Sequence, residues 1–154
     1  MTECCVAGRV PLLSTCIASE SHDVYSTRIH PATGVAYTSD VEAVDYRDGM
    51  LVVAVACGLD ADRTVRGLRV TFTRPAGFRL LDELDLHRYW MAVDWPRGSH
   101  VLEVTGGGWA KEEDALQGFD TIRREWLVVT GNACVSVFCA EQPLVAETSW
   151  MCAG

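Results

Sequence analysis

The stretch RREWLVVTGNACVSVFC, residues 123–139, decides how the chain is read. In its first arm Ile122, Arg124, Trp126 and Val128 fall on one face of an extended segment, and Arg123, Glu125, Leu127 and Val129 on the other. In the second arm Val135 and Val137 alternate with Cys134, Ser136 and Phe138. This period of two marks strands, because successive side chains of an extended backbone point to opposite faces. Gly131-Asn132 between the arms predicts a hairpin turn built from two residues that tolerate positive φ. Two thiols and a phenyl ring lie close together here, yet nothing near Cys134 in the sequence would depress its pKa, and only a thiolate reacts. The stretch is therefore expected to build a fold, with Trp126 in the core.

The same period continues upstream. In GLRVTFTRP, Leu68, Val70 and Phe72 face one way, and Arg69, Thr71 and Thr73 the other, before Pro75 ends the strand. MLVVAVAC, Met50–Cys57, is apolar on both faces, which predicts a central strand covered on both sides. Asp48-Gly49 just before it is the strongest hairpin signal in the chain. A meander over 41–47, 50–57 and 67–74 follows, and DADRT at 60–64 reads as a turn. It lacks the glycine and terminal glutamate of a calcium loop.

Helix signals are fewer. RLLDELDLHRYW carries Leu80, Leu84 and Leu86 or His87 at helical spacing, with acids early and bases late, as the helix dipole favours. A second short helix is expected over AKEEDALQGF, after the glycines at 106–108, with Trp109 packed over a bend. The fold class is therefore α+β: a predominantly antiparallel twisted sheet with one or two packed helices, forming a single domain over 1–154. Residues 1–20 are expected to be a first strand or a loosely held extension. VPLLSTC ending at Cys16 only approximates a lipoprotein cleavage site, and the acidic start and Arg9 do not suit a signal peptide.

Composition narrows the function. With 49% hydrophobic and 22% charged residues, the chain has a globular rather than a disordered balance. A formal charge of −8 repels phosphate backbones, arguing against nucleic acid, and suits a basic partner or cationic ligand. No segment approaches the roughly 18 apolar residues that span a bilayer. The seven cysteines are odd in number and show no C-x-x-C spacing, so they read as reduced thiols of a cytoplasmic protein.

The best chemical constellation is LDELDLHRYW. Glu83 and His87 lie four apart with Asp82 beside them, a spacing that would place a carboxylate and an imidazole on one helical face for metal or proton chemistry. No H-E-x-x-H signature accompanies them, no P-loop or dinucleotide fingerprint surrounds TGGGWA, and no G-x-S-x-G elbow surrounds Ser136. No catalytic residue, metal or cofactor is therefore assigned. Trp90, Trp95 and Trp109, flanked by polar or glycine-rich chain, would line a groove with Asp82, Glu83 and His87.

GFRLLDELDLHRYW, LEVTGGGWA and REWLVVTGNACVSVFCAEQPLV, within residues 65–147, together resemble a group of small bacterial proteins without an assigned activity. The resemblance implies an arginine-bearing strand, a helix, a glycine–tryptophan bend and a closing hairpin, and no activity. In size and acidity the chain is also similar to bacterial immunity proteins, which block toxins by binding. The expectation is a non-enzymatic binding protein with a basic protein partner. The alternative is a small-ligand or metal-binding enzyme using the groove, and an exposed strand edge would also permit a homodimer.

Overall fold

The structure, a computed structural model, describes residues 25–28, 38–91, 96 and 98–152; at 25–28, 83 and 88 it describes the backbone alone. The segment expected as a strand or extension at 1–20 lies outside the described residues, as does Trp95. The fold is α+β, and its strands divide into two sheets with antiparallel pairing throughout. The five-stranded sheet has the order β1 (Tyr25–Arg28), β6 (Val101–Gly106), β7 (Glu125–Val129), β8 (Ala133–Phe138) and β5 (Gly77–Asp82). The four-stranded sheet has the order β2 (Asp40–Arg47), β3 (Met50–Leu59), β4 (Thr64–Thr73) and β9 (Leu144–Met151). Helices α1 (Glu83–Trp90) and α2 (Gly108–Gln117) join β5 to β6 and β6 to β7.

The layers follow from the alternation. Leu51, Val53 and Val55 of β3 and Leu68, Val70 and Phe72 of β4 pack against Val101, Trp126, Val128, Val135 and Val137 of the larger sheet. This is the sandwich core, and each such side chain contributes about 1.5–3 kcal/mol by leaving water. The opposite face of the larger sheet carries Leu102, Val104, Leu127, Val129 and Cys134, which are closed over by Leu86 and Tyr89 of α1. The order is thus small sheet, large sheet, helices. The arm 125–129 is buried on both faces because it lies in the middle layer.

Three expectations are corrected. MLVVAVAC is central in its sheet but covered on one face only: Val52, Ala54 and Ala56 point away from the core and stay half-exposed. The helix of RLLDELDLHRYW begins at Glu83, because residues 77–82 pair with β8 as strand β5. Leu80 and Leu84 are exposed, and the buried stripe of α1 is Leu86 and Tyr89. At the hairpin, neither Gly131 nor Asn132 adopts the left-handed conformation. Instead the Thr130 hydroxyl accepts from the Ala133 N–H at 3.0 Å and holds the turn. The Asp48-Gly49 turn does use positive φ at both residues, 51° and 75°, and sets Arg47 opposite Met50. DADRT is the turn between β3 and β4; the Thr64 N–H, bonded to Asp62 at 3.0 Å, holds that carboxyl below the usual range.

Candidate functional site

Asp82 ends β5 and caps α1: its Oδ1 accepts from the Leu84 and Asp85 N–H groups at 2.9 and 3.2 Å. His87 lies on the exposed side of the helix, while the Glu83 side chain and Trp95 are outside the described residues. Trp90 is half-buried against the cluster under α1, and Trp109 lies in the first turn of α2 rather than over a bend. The Trp109 indole stacks on Phe138 of β8 at 3.9 Å, and the Arg79 guanidinium lies 4.8 Å from its ring centre. Among the described residues no three His, Cys, Asp or Glu side chains converge as metal ligands. Arg79 links Trp109 to Tyr89 of α1, while Trp90 packs against the cluster beneath that helix.

The convergence of polar groups occurs deeper, around Glu125. Its Oε2 accepts from the Ala110 N–H at 2.9 Å, and its Oε1 from the Ser136 hydroxyl at 2.9 Å and, at the longer distance of 3.5 Å, from Tyr89. Tyr89 in turn accepts from Arg79 Nη2 at 3.2 Å, while Nη1 of Arg79 pairs with Glu112 at 3.0 Å. The TGGGWA glycines make room for this carboxylate. Gly107 and Gly108 have φ of 69° and 67°, and a Cβ on Gly108 would stand 2.7 Å from Glu125 Oε2. Glu125 therefore caps α2 from a neighbouring strand, at the helix end where a negative charge is favoured. The sequence shows Glu125 only as a strand residue; the signal for its role is a carboxylate on the helix-facing side of β7 and a glycine run where a side-chain cap would stand. Ser136 and Glu125 are both buried and bonded to each other, so the pair braces β7 against β8.

A thiol and an imidazole meet at the rim of the sandwich. β3 carries a bulge at Cys57, between Ala56 opposite Gly67 and Gly58 opposite Arg66. Bulges re-aim side chains, and here Cys57 Sγ lies 3.6 Å from His100 Nε2. His100 Nδ1 lies 2.7 Å from the Val129 carbonyl, which can only accept, so Nδ1 carries the proton and Nε2 accepts from the thiol. Burial pushes the Cys57 thiol up from its ordinary 9.0. Carboxamidomethylation of Cys57, followed by peptide mapping, should therefore rise with pH through a midpoint above 9.0. A midpoint well below that of the same thiol in the denatured chain would mean instead a thiolate held by the imidazole. The same shift makes Cys57 favour unfolding in alkali, where the unfolded thiol ionises before the folded one.

The outer face of the small sheet is open. The ring of Trp150 of β9 covers Gly67 and donates from Nε1 to Glu42 of β2 at 3.0 Å, spanning the sheet. Ala43, Ala54, Arg69, Thr148 and Ser149 complete a shallow depression of about 270 Å³ beside it. No helix among the described residues is long and apolar enough to cross a membrane. No family model, curated protein or solved structure matches this chain.

Proposed function

We propose that the chain is a non-enzymatic binding protein of the bacterial cytoplasm that engages a basic protein partner, in the manner of an immunity protein. The observation that carries this reading is the distribution of acids along one side of the sandwich. Ser39 bonds to the Gly131 N–H, which ties the start of β2 to the β7–β8 turn, and Asp82 pairs with Ala133 in that same turn. Exposed Asp40, Asp82 and Asp85 therefore cluster toward one end of the β2–β5 side. Tyr46 meets Phe78 with ring centres 5.8 Å apart, which brings exposed Asp45 and Asp48 toward the other end. Arg79, on the same strand as Phe78, is committed to Glu112, and Arg47 to Asp45. Carboxylates arranged in this way steer encounter with a cationic surface. By contrast, the titratable groups that converge in the interior are satisfied by one another.

The test is capture from native cells at low and high salt, with the partner identified by mass spectrometry. A basic protein retained at low salt and released over the range in which surface charges are screened supports the reading. No partner, or a partner whose retention ignores salt, overturns it.

A further inference from the structure

We infer that the free edge of β5 is the docking element, and that it takes an extended strand from the partner with an apolar centre and basic ends. The inference rests on the binding reading above and adds where and how the partner is held.

Each sheet ends in two strands, and a free edge offers unpaired N–H and C=O groups to any chain that can extend along it. Three of the edges can be compared side chain by side chain. β2 carries a bulge between Val41 and Ala43 and acids along its length. β9 turns Glu147 to the same side as its partner Leu68, which places a charge on the core-facing side of that edge. β5 has neither device. It pairs with β8 in regular register from Gly77 to Asp82, and among the described residues nothing pairs with its other side. Phe78 and Leu80 stand opposite Val137 and Val135, so they point to the sandwich side, but they lie outside the core cluster, and the small sheet reaches Phe78 through the exposed Tyr46 of its edge strand. They remain 39% and 60% exposed, with Tyr46, also exposed, beside Phe78.

The occupant follows from what surrounds this strip. Six residues of strand offer about 20 Å of edge. Its centre is apolar on alternate residues, which accepts alternate apolar side chains of an added strand. Toward one end lie Asp82, Asp85 and Asp40, and toward the other Asp48 beside the Arg47–Asp45 and Arg74–Glu141 pairs, which leaves one uncompensated carboxylate there, so lysine or arginine on either flank of the incoming segment meets opposite charge. A second copy of this chain would bring the same acids against them.

The test uses a peptide of about nine residues, with two lysines at each end of an alternating valine–threonine core. A control peptide has glutamates in place of the lysines. Binding is followed by titration and by hydrogen exchange of the β5 amides, with wild type, Leu80→Lys and Leu144→Lys. Leu144 is 70% exposed on the β9 edge and serves as the control position. The inference expects the lysine peptide to bind, the glutamate peptide not to bind, and β5 amides to gain protection. Leu80→Lys should weaken binding about tenfold or more, and Leu144→Lys should leave it unchanged. Binding that Leu80→Lys does not weaken, or that Leu144→Lys does, overturns the edge assignment while leaving a basic partner in place. Self-association of the wild type that Leu80→Lys abolishes makes a second copy the occupant and also overturns it. If neither peptide binds, the salt-sensitive native partner is tried against Leu80→Lys. Undiminished capture defeats the edge alone, and the absence of any such partner defeats both readings.

Discussion

Glu125→Ala is expected to cost about 3–5 kcal/mol in urea unfolding, the range seen when one member of a buried charged network is removed. Three donors lose their acceptor at once: the Ala110 N–H, the Ser136 hydroxyl and the Tyr89 hydroxyl. Water cannot readily replace the carboxylate, because Glu125, Ser136 and Tyr89 are all buried. Since domains of this size hold about 5–15 kcal/mol in total, the alanine variant should sit near the edge of folding. Glu125→Gln tests the cause. Its Oε1 can still accept from Ala110, and its amide can donate to Ser136, whose hydroxyl rotates to accept, so the donor left without an acceptor from residue 125 is that of the long Tyr89 contact. It should cost only about 1 kcal/mol, the value of an ordinary net hydrogen bond. Equal losses for the two variants would mean that the full carboxylate, with two accepting oxygens, is what Glu125 supplies, because glutamine keeps the packing volume. Arg79→Lys separates the outer part of the network. It retains a charge near Glu112 but cannot form the forked contact to Tyr89 and Glu112.

The network also shows what the sequence carries and what it hides. Period two was legible along 125–138 and 68–73 because each strand has a face that must leave water, and the pairings Leu127 to Ser136 and Val53 to Val70 follow that alternation. The Asp48-Gly49 turn was legible because its chemistry is local. Alternation says which residues share a face, however, and not what covers that face. The middle-layer role of β7 and the open side of β3 therefore emerge only when the sheets are assembled. β6 and β9 were not foreseen as strands: VLEVTG is short, and LVAETSWM mixes charge and small residues along an edge. At Leu80 and Leu84 a helical spacing arises by coincidence across a strand–helix junction, and pairing of β5 with β8 overrides it. At Gly131-Asn132 the turn residues were legible but their conformation was not, because the Thr130 hydroxyl offers the turn a different set of bonds.

Of the groove residues, Asp82 and Trp109 were found by residue type and spacing, and the structure employs them as a helix cap and a stacked anchor. Glu125, Cys57 and His100 draw their surroundings from distant segments. Thirty-six residues separate Tyr89 from Glu125, and forty-three separate Cys57 from His100. No window of sequence brings such pairs together.

Gly67→Ala is expected to destabilise the protein by about 3 kcal/mol, at the upper end of what overpacking usually costs. Gly67 lies in the middle of β4, where a glycine contributes nothing by its own propensity. A Cβ there would collide with the Val55 carbonyl oxygen and would stand 2.5 and 2.8 Å from the ring carbons of Trp150. The two collisions have different origins. The carbonyl is set by the bulge that turns Cys57 toward His100, directly across from Gly67. The indole lies over the bare backbone because no side chain occupies that spot. A ring can tilt away, whereas a carbonyl held in a sheet cannot. Gly67→Ala should therefore remain costly when Trp150→Ala is introduced with it, recovering at most about 1 kcal/mol of coupling between neighbours. The same substitution should displace the bulge and shift the alkylation profile of Cys57 toward that of an ordinary thiol. If Trp150→Ala restores full stability, the glycine serves the indole and the open face of the small sheet. If it does not, the glycine serves the bulge, and the thiol–imidazole contact at the rim is built into the pairing of β3 with β4.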